Sequence, residues 1–466
     1  MSDNTIGKIL YQIGMVGTGS IGSMMSLLFA EKGCHVYYLD ISENNTRAAE
    51  KIVKGVDEES RVHRQQSYAQ LSDEVKSENH PRVVIFSIPH GIPGDRCVKG
   101  LRPYLDKGDI ILDCSNEYYV NTERRQADLA IDGIYYVGCG VSWGYQSALT
   151  EPSMSPGGDP KALEILMPLL RSVAASSVNG KPRTSPIGPG GSGHYVTMIH
   201  NGIEQAIISV ISEVWYILTK GIQLSCNDAA DVLTKWNISD ELQNTHIIQM
   251  GVGINRTQES QGEHVLRNGR HKVARDANTE EMGAWSCEEA VRLYVPAMNM
   301  VSAHFFGCTS AELKKRVADA KSSGHPNEPI PIKVGSKNDF IVDLRKATYF
   351  CLLLCFVQGL QVIREMDQQR EWHIDYPEVL HIWSSSSTIQ TGGIINLLKK
   401  VYGQSFSTKE NLLSNPELAD QLASLLPSVK RTVIAAIEAD AAVPTMSQSL
   451  EYYKYSTSGQ LPTQLA

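Results

Sequence analysis

The sequence predicts two parts: an α/β domain built on a doubly wound parallel sheet, and a large all-α domain that follows it. Short, nearly continuous apolar segments alternate with helical segments up to about residue 185, a pattern typical of buried parallel strands. A glycine-rich turn directly follows the first of these segments. Beyond about residue 190 the strand pattern ends, and long segments carry apolar residues at steps of three and four, which indicates helices with one buried face.

Length, charge and cysteine usage narrow the class of protein. The 466 residues are enough for two or three domains, and the formal net charge of −8 argues against nucleic acid and anionic membranes as partners. The nine cysteines are scattered without a Cys-x-x-Cys pair, so neither a zinc site nor a disulfide framework is indicated. The N-terminus lacks a signal-peptide pattern, and the most apolar run, residues 349–362, is too short to span a bilayer. We therefore expect a cytoplasmic protein that holds no metal.

The glycine-rich turn has the context of a dinucleotide-binding site. A strand predicted over Lys8–Met15 runs into it, and a helix predicted from Met24 to Lys32 follows it. The turn has the sequence Gly17-Thr18-Gly19-Ser20-Ile21-Gly22. Its glycines allow a tight turn, a close approach of the backbone to a pyrophosphate, and close packing of helix on strand. The helix N-terminus offers free N–H groups and a positive dipole end to the phosphates. This order predicts a Rossmann-type domain.

An acidic residue at the end of the second predicted strand indicates which dinucleotide binds. Asp40 follows Gly22 by 18 residues, where a carboxylate can bind the adenosine ribose hydroxyls and would repel a 2′-phosphate. Arg47 lies further along, in the predicted helix, and is less well placed to receive such a phosphate. NAD is therefore favoured over NADP. The alternative is that Asp40 merely caps the next turn.

Further strands are predicted over residues 81–89, 108–116 and 133–138. Ligands of such sheets bind beyond the carboxyl ends of the strands, where Asn116 and the loop at residues 140–144 fall. Ordinary turn chemistry is the alternative interpretation of these residues.

A long helix, predicted to begin near Gly193 and to end at Lys220-Gly221, carries unusual polar residues. Its apolar residues recur at steps of three and four and form one buried face: Val196, Ile199, Ile203, Ile207, Val210 and Val214. Four polar residues recur at the same steps and share a second face: Thr197, His200, Asn201 and Glu204. Polar groups in an apolar helix are costly unless they have partners or a ligand. They indicate either a buried polar network between helices or a ligand site.

Besides the turn at residues 17–22, the chain carries four motifs: Asp113-Cys114-Ser115-Asn116, Gly140-Val141-Ser142-Trp143-Gly144, Pro156-Gly157-Gly158 and Gly193-His194-Tyr195-Val196-Thr197-Met198-Ile199-His200-Asn201-Gly202-Ile203-Glu204. In these segments the chain resembles 6-phosphogluconate dehydrogenase, the larger member of the β-hydroxyacid dehydrogenase superfamily, over nearly its whole length. The resemblance implies a Rossmann domain, a large helical domain and a homodimer whose C-terminal tail reaches toward the partner's site. We predict a dinucleotide-binding domain over 1–185, a helical substrate and dimerisation domain over 186–453, and a tail over 454–466.

The resemblance also implies a reaction and a set of site residues. In that family a nicotinamide accepts a hydride from a β-hydroxy acid, the β-keto acid loses carbon dioxide, and the enediol is reprotonated. By resemblance Glu204 donates this proton, and a second group holds the substrate: Asn116, Ser142, Gly144, His200 and Asn201. We expect Trp143 and Gln205, which adjoin members of this group, to contact the substrate as well. We expect the cofactor to contact these residues: Gly17, Thr18, Gly19, Ser20, Ile21, Gly22, Asp40, Ser87, Ile88 and Asn116.

The departures from the family pattern concern the substrate. The family's catalytic lysine, which takes the hydroxyl proton, is replaced by Thr197, and a threonine hydroxyl is a poor base near neutral pH. Positions that bind phosphate in the family carry residues without a positive charge: Gln205, Ala284, Gly307 and Glu451. Trp143 replaces a small glycine, and four serines at 384–387 replace a more basic segment. Each lost cation removes a charge-assisted hydrogen bond of roughly 1.5–3 kcal/mol, so 6-phosphogluconate should be a poor substrate.

Three functions remain open. The first is an NAD(P)-dependent dehydrogenase for another small anionic hydroxy or keto acid, such as a phosphonate or polycarboxylate, with or without oxidative decarboxylation. The cations Arg270, Lys272 and Arg275 are candidates for holding such an acid. The second is an NAD-binding sensor that has lost activity, and the third is an imine-type reductase. For the first function His200 is the strongest base, since an unperturbed imidazole titrates near 6.5. The alternative is a water held by Thr197 that relays the proton.

Overall fold

The computed structural model describes residues 12–142, 152–258, 264–267, 277–323, 329–403 and 410–465. The chain divides into two compact units. Unit 1 comprises Met1–Thr197 and Trp372–Ser387, and unit 2 comprises Met198–Glu371 and Thr388–Ala466. The domain limits predicted at residues 185 and 453 remain predictions.

A seven-stranded sheet forms the centre of unit 1 in the described part of the chain. Its strands are β1 (Gln12–Val16), β2 (His35–Leu39), β3 (Val62–Arg64), β4 (Val83–Phe86), β5 (Ile110–Asp113), β6 (Tyr135–Ser142) and β7 (Ser153–Gly157). They lie in the order β3-β2-β1-β4-β5-β6-β7. All neighbours pair in parallel except β6 and β7, which are antiparallel. The predicted doubly wound parallel sheet is confirmed, with one antiparallel edge strand.

Helices cover both faces of this sheet. Unit 1 contains α1 (Ser20–Glu31), α2 (Glu43–Val53), α3 (Tyr68–Glu74), α4 (Ile92–Leu101), α5 (Tyr119–Ala130), α6 (Pro160–Val173) and α14 (Tyr376–Trp383). Alternate residues of β4 enter different cores: Ile85 packs in a cluster with Phe29 of α1, and Val84 in a cluster with Leu129 of α5. Because successive side chains of a strand point to opposite faces, these two clusters are the two layers between sheet and helices.

The strand order changes direction between β1 and β4. From β1 the sheet continues to β2 on one side and to β4 and β5 on the other. Val16 pairs with Phe86, so the residues that follow them, Gly17 and Ser87, lie side by side at the carboxyl edge. In open parallel sheets this switch point is where ligands bind.

Unit 2 is built from helices. It contains most of α7 (Ser192–Tyr216) together with α8 (Cys226–Ile238), α9 (His246–Arg256), α10 (Ala277–Arg292), α11 (Met298–Ala311), α12 (Leu313–Ser323), α13 (Lys337–Arg370), α15 (Gly392–Gly403), α16 (Pro416–Glu438) and α17 (Pro444–Thr457). Every strand of the described residues precedes α6, so the predicted all-α part is confirmed. None of the helices in the described ranges, including the 34-residue α13, has the length and apolarity to cross a membrane.

Helix α7 is surrounded by other helices of unit 2. The six residues of its predicted apolar face are fully buried, as the periodicity indicated. Two glycines permit this packing. A Cβ on Gly202 would stand 2.8 Å from Ser286 Cβ of α10, and one on Gly359 of α13 would stand 2.4 Å from Ile203. Larger residues at these positions would push neighbouring helices away from α7.

Candidate cofactor and substrate sites

The glycine-rich turn of unit 1 has a buried and an open part. Gly17 has a φ of +94°, and an added Cβ would lie 2.2 Å from Ser87 O. A Cβ on Gly22 would lie 2.1 Å from Gly17 O, so glycine is required at both positions. Ser20 and Ile21, in contrast, are exposed. The turn therefore packs tightly against β4 while its middle faces outward.

The first turn of α1 has room for an anion. Gly19 is its N-cap, and no side chain of the described residues caps the helix. The first N–H groups of a helix lack partners within it and carry the positive end of its dipole. A pyrophosphate bound at this end would accept hydrogen bonds from these N–H groups. The residues present therefore fit a dinucleotide.

Asp40 ties the end of β2 to the glycine-rich turn. Its Oδ2 accepts hydrogen bonds from Thr18 N at 2.6 Å and Thr18 Oγ1 at 3.1 Å, and its Oδ1 accepts one from Ser42 N at 2.7 Å. Asp40 therefore does hold the following turn, as the alternative interpretation stated, and it is also half exposed beside the switch point. The next residue, Ile41, is fully exposed.

Other predicted site residues of unit 1 lie along the same edge of the sheet. Ser87 and Ile88 follow β4, Asn116 follows β5, and Ser142 is the last residue of β6; all four are half buried. Trp143 and Gly144 lie outside the described residues. The cations Arg270, Lys272 and Arg275 lie outside them as well.

A buried ion pair that the sequence did not indicate holds the loops after β4 and β5. Arg125 Nη1 donates to Glu117 Oε2 at 2.6 Å, and both side chains are almost completely buried. Gly91 is bound from both sides: its N–H donates to Glu117 Oε2 at 2.8 Å, and its carbonyl accepts from Arg125 Nη2 at 2.7 Å. Glu117 directly follows Asn116, so this cluster fixes the backbone on which Asn116 sits.

His194, at the start of α7, links that helix to the sheet of unit 1. Its Nε2 lies 3.0 Å from Asp113 O, and its Nδ1 lies 2.7 Å from Thr122 Oγ1. A carbonyl can only accept, so Nε2–H donates to Asp113 and Nδ1 accepts from Thr122. The ring is buried and both of its nitrogens are used, so His194 is a structural residue.

Thr197 is the residue that, by the family resemblance, takes the place of the catalytic lysine. It is buried, and its Oγ1 donates to Gly193 O at 3.1 Å within the helix. A Cβ on Gly140 of β6 would overlap this hydroxyl, at 1.6 Å, so Thr197 fills the space directly above the strand. The hydroxyl proton is committed to the helix backbone, which makes Thr197 unsuited to remove a proton from a ligand.

In unit 2, His200 is buried next to Asn201. Nδ1 of His200 lies 2.9 Å from Asn201 Oδ1, which can only accept, so the ring carries its proton on Nδ1 and its lone pair on Nε2. Burial lowers the pKa of His200 to about 4, and the hydrogen bond with Asn201 opposes this shift. The expectation of an unperturbed imidazole near 6.5 is therefore wrong, because the charged ring would lose its water.

Glu204, one turn beyond His200, has a partner that the sequence did not reveal. Thr388 Oγ1 donates to Glu204 Oε2 at 2.6 Å. Burial raises the pKa of Glu204, and the bond from Thr388 partly opposes that rise. A carboxyl of raised pKa is more often protonated near neutral pH, as a general acid must be.

The four residues that the resemblance assigns to the family's phosphate-binding positions are neutral or paired. Gln205 lies against α10, where a Cβ on Gly283 would stand 2.1 Å from its Oε1, and Ala284 is the next residue. Gly307 is exposed on α11. Glu451 on α17 is exposed and bonds Lys454 at 2.7 Å.

A glycine-rich turn at the switch point of a parallel sheet, with a helical unit that carries a histidine, an asparagine and an acid on one helix, defines the class of nicotinamide-dependent dehydrogenases. The NAD-binding domain model of 6-phosphogluconate dehydrogenase matches residues 12–181, and the C-terminal domain model of that enzyme matches residues 193–466. This chain belongs to the 6-phosphogluconate dehydrogenase family.

Known proteins support this membership over nearly the whole chain. The decarboxylating 6-phosphogluconate dehydrogenase of Emericella nidulans is 34% identical over 458 residues, covering 95% of this chain and 92% of its own. A spinach enzyme of the same description is 31% identical and covers 97% of this chain and 92% of its own. The solved 6-phosphogluconate dehydrogenase of Plasmodium falciparum, described in complexes with NADP+ and with 6-phosphogluconate, superposes with a TM-score of 0.88 at 28% identity, over 97% of this chain and 94% of its own.

The predicted resemblance is confirmed, and the class of activity follows from it. This protein is an NAD(P)-dependent oxidoreductase that acts on CH–OH groups, related to decarboxylating dehydrogenases.

Proposed function

We propose that this protein is an NAD-dependent dehydrogenase whose substrate is a small anionic hydroxy or keto acid other than 6-phosphogluconate. The observation that carries the proposal is Thr197, which stands where the family has its catalytic lysine and donates its hydroxyl proton to Gly193 O. A dehydrogenase with this residue must take the hydroxyl proton of its substrate by another route.

The loss of phosphate ligands supports a different substrate. Gln205 and Gly283 are in contact within unit 2, so Gln205 and Ala284 belong to one small region rather than to two. An amide and a methyl group in this region offer no charge to a phosphate. Each missing cation costs roughly 1.5–3 kcal/mol of charge-assisted hydrogen bonding, which amounts to at least about tenfold in affinity. We infer that the distal end of the substrate is not a phosphate ester, and that its carboxylate end is the anionic part.

Three features at the end of β2 support NAD over NADP. Asp40 presents a carboxylate that would repel a 2′-phosphate. The exposed Ile41 next to it offers neither charge nor a hydrogen bond. Arg47, in the following helix, lies 3.7 Å from Glu43, and Arg64 donates to the same glutamate at 2.7 Å. Because Glu43 already lies beside both cations, each would attract the 2′-phosphate of NADP less strongly than an unpaired cation would.

His200 is the base in this proposal, and Nε2 is the atom that accepts the proton. A pKa of about 4 makes the free imidazole neutral but weakly basic. A substrate carboxylate bound close to the ring would favour the imidazolium and raise this pKa, so basicity would rise when substrate binds. A bound nicotinamide supplies the acceptor of the hydride. If the keto acid then loses carbon dioxide, Glu204 holds the proton that the resulting carbanion takes up.

We further propose that the protein acts as a homodimer. Phe305 and Phe306 of α11 are more than half exposed, and they precede α12, which has no buried residue among those described. Exposed neighbouring aromatic side chains are typical of an interface, and a second copy is the occupant that the family implies. Size-exclusion chromatography with light scattering tests this, and a mass of one chain at micromolar concentration would contradict it.

The experiment that tests the proposed function has two parts. NADH fluorescence first measures cofactor binding. Formation and consumption of NADH are then followed with a panel of hydroxy and keto acids, including phosphonates and polycarboxylates. We expect binding of NADH and turnover of at least one acid. Binding without turnover of any acid would favour a sensor, and turnover of imines alone would favour an imine-type reductase.

A double variant tests the choice of substrate, and an uncharged variant is its control. Gln205→Tyr with Ala284→Lys returns the family's residue types to one region. We expect this double variant to gain affinity for 6-phosphogluconate relative to the parent, while Ala284→Met, of similar length without charge, gains nothing.

A further inference from the structure

Thr388 contacts the proposed acid of the site. Its Oγ1 lies 2.6 Å from Glu204 Oε2, and the two residues are 184 positions apart in the chain. Thr388 directly follows the run of serines at 384–387 and precedes Ile389, which is fully buried. A buried neighbour limits the movement of the backbone that carries the hydroxyl.

The contact makes the two carboxyl oxygens of Glu204 unequal. A protonated carboxyl has one oxygen that carries hydrogen and one that can only accept. Because Thr388 donates to Oε2, it favours the form in which Oε2 is the bare oxygen. The acidic proton is then on the other oxygen, Oε1.

We propose that Thr388 is a positioning residue that holds Glu204 with its transferable proton on Oε1. This inference rests on the proposed role of Glu204 as the acid. The atoms balance simply: the O–H bond at Oε1 breaks, a C–H bond forms on the carbanion, and the carboxylate left behind keeps the hydrogen bond from Thr388. The family resemblance assigns no role to Thr388.

The hydrogen bond also has a measurable effect on the acid itself. A donor to a carboxylate stabilises the ionised form, so its removal should raise the pKa of Glu204 beyond the rise that burial already causes. The other titratable side chain of this face, His200, is one turn away on α7 and is neutral above a pH of about 4. The effect of Thr388 is therefore separable from that of a neighbouring charge.

The test is a titration of the Glu204 carboxyl by infrared difference spectroscopy in the full-length protein with NADH bound. The signal is assigned by its absence in Glu204→Gln. In Thr388→Val the midpoint should move upward by about one pH unit, a tenfold change in the protonation equilibrium, and the carbonyl band should shift. Thr388→Ser keeps the hydroxyl, so its titration midpoint and carbonyl band should match those of the unmodified protein.

A matched control lies three residues further along. Thr391 is buried, and its Oγ1 has no hydrogen-bond partner within the described ranges. Thr391→Val removes a hydroxyl by the same substitution and should leave the Glu204 midpoint unchanged. An unchanged or lowered midpoint in Thr388→Val would overturn the proposal, as would an equal rise in Thr391→Val.

Turnover provides the second readout. With an acid that the panel shows to be a substrate, Thr388→Val should lower kcat about tenfold and leave KM unchanged, and the alkaline limb of its pH profile should move upward because the acid stays protonated to higher pH. An effect on KM alone would contradict a positioning role. If the titration behaves as expected but no acid is turned over, the proposed function fails while the placement of the proton stands.

Discussion

Arg125 and Glu117 form a nearly inaccessible ion pair, with 2.6 Å between Nη1 and Oε2, at the carboxyl ends of β4 and β5. Both backbone groups of Gly91 bind to this pair. The pair therefore joins the loop after β4 to the residue that follows Asn116. A charge in this position is tolerated only while its partner is present.

Arg125→Met should destabilise the protein strongly. The substitution leaves the Glu117 carboxylate buried without its main counter-charge, which typically costs about 3–5 kcal/mol of the free energy of unfolding. Urea denaturation measures this loss. Arg124→Met is the matched control, because Arg124 is half exposed and pairs with Asp95 at the surface; it should cost less than about 1 kcal/mol. Equal free energies of unfolding in the two variants would show that the buried pair contributes no more to stability than the surface pair.

Asp40→Ser should reduce the preference for NAD. In the unmodified protein we expect NAD(H) to bind at least tenfold more tightly than NADP(H), about 1.4 kcal/mol. The variant loses the repulsion of a 2′-phosphate, and Asp40→Ser with Ile41→Arg adds an attraction, so NADP(H) affinity should rise in that order. Fluorescence titration with both cofactors measures it. Equal affinities in the unmodified protein would remove the basis for choosing NAD.

His200 should make the stability of the protein fall in acid. Its folded pKa is about 4, below the unfolded value near 6.5, so between these values the unfolded chain binds the extra proton and folding becomes less favourable as pH falls. The difference corresponds to about 3 kcal/mol, present above pH 6.5 and lost on the way to pH 4. His200→Asn should flatten the pH dependence of the free energy of unfolding in this window. A dependence of the same size in the variant would mean that other groups cause it.

Two substitutions on α7 distinguish His200 as the base from a water relay held by Thr197. If His200 is the base, His200→Asn should lower turnover roughly 10²–10⁴-fold and remove the acidic limb of the pH profile. Thr197→Val should be mild, because the hydroxyl it removes bonds only to the helix backbone among its described contacts. Steady-state kinetics over a range of pH measures both. A water relay would be supported instead if Thr197→Val lost most of its turnover while His200→Asn mainly raised KM.

Local patterns predicted much of this molecule. The glycine-rich turn, the strand before it and the apolar face of α7 each depend on residues close in sequence, so periodicity and spacing reveal them. Strands β3 and β7 were not predicted. The first has only three residues, too few for a recognisable alternation, and the second contains serines and a proline at the sheet edge.

Long-range contacts could not be predicted in the same way. Thr388 and Glu204 meet across 184 positions, and neither residue carries a local sign of the other. The same holds for His194, whose two bonds reach Thr122 and Asp113. The lowered pKa of His200 follows from burial by surrounding helices, which the sequence of α7 alone does not contain. Only the polar face of α7 indicated that such partners exist.

The most direct measurement is the rate of NADH or NADPH formation from 6-phosphogluconate, with the Emericella nidulans 6-phosphogluconate dehydrogenase assayed alongside as a positive control. On the proposal that Thr197 replaces the lysine and that Gln205 and Ala284 replace phosphate ligands, we expect turnover well below about one per second with either cofactor. A rate within the usual enzyme range of roughly 1–10³ per second would contradict a changed substrate and would place the phosphate site elsewhere.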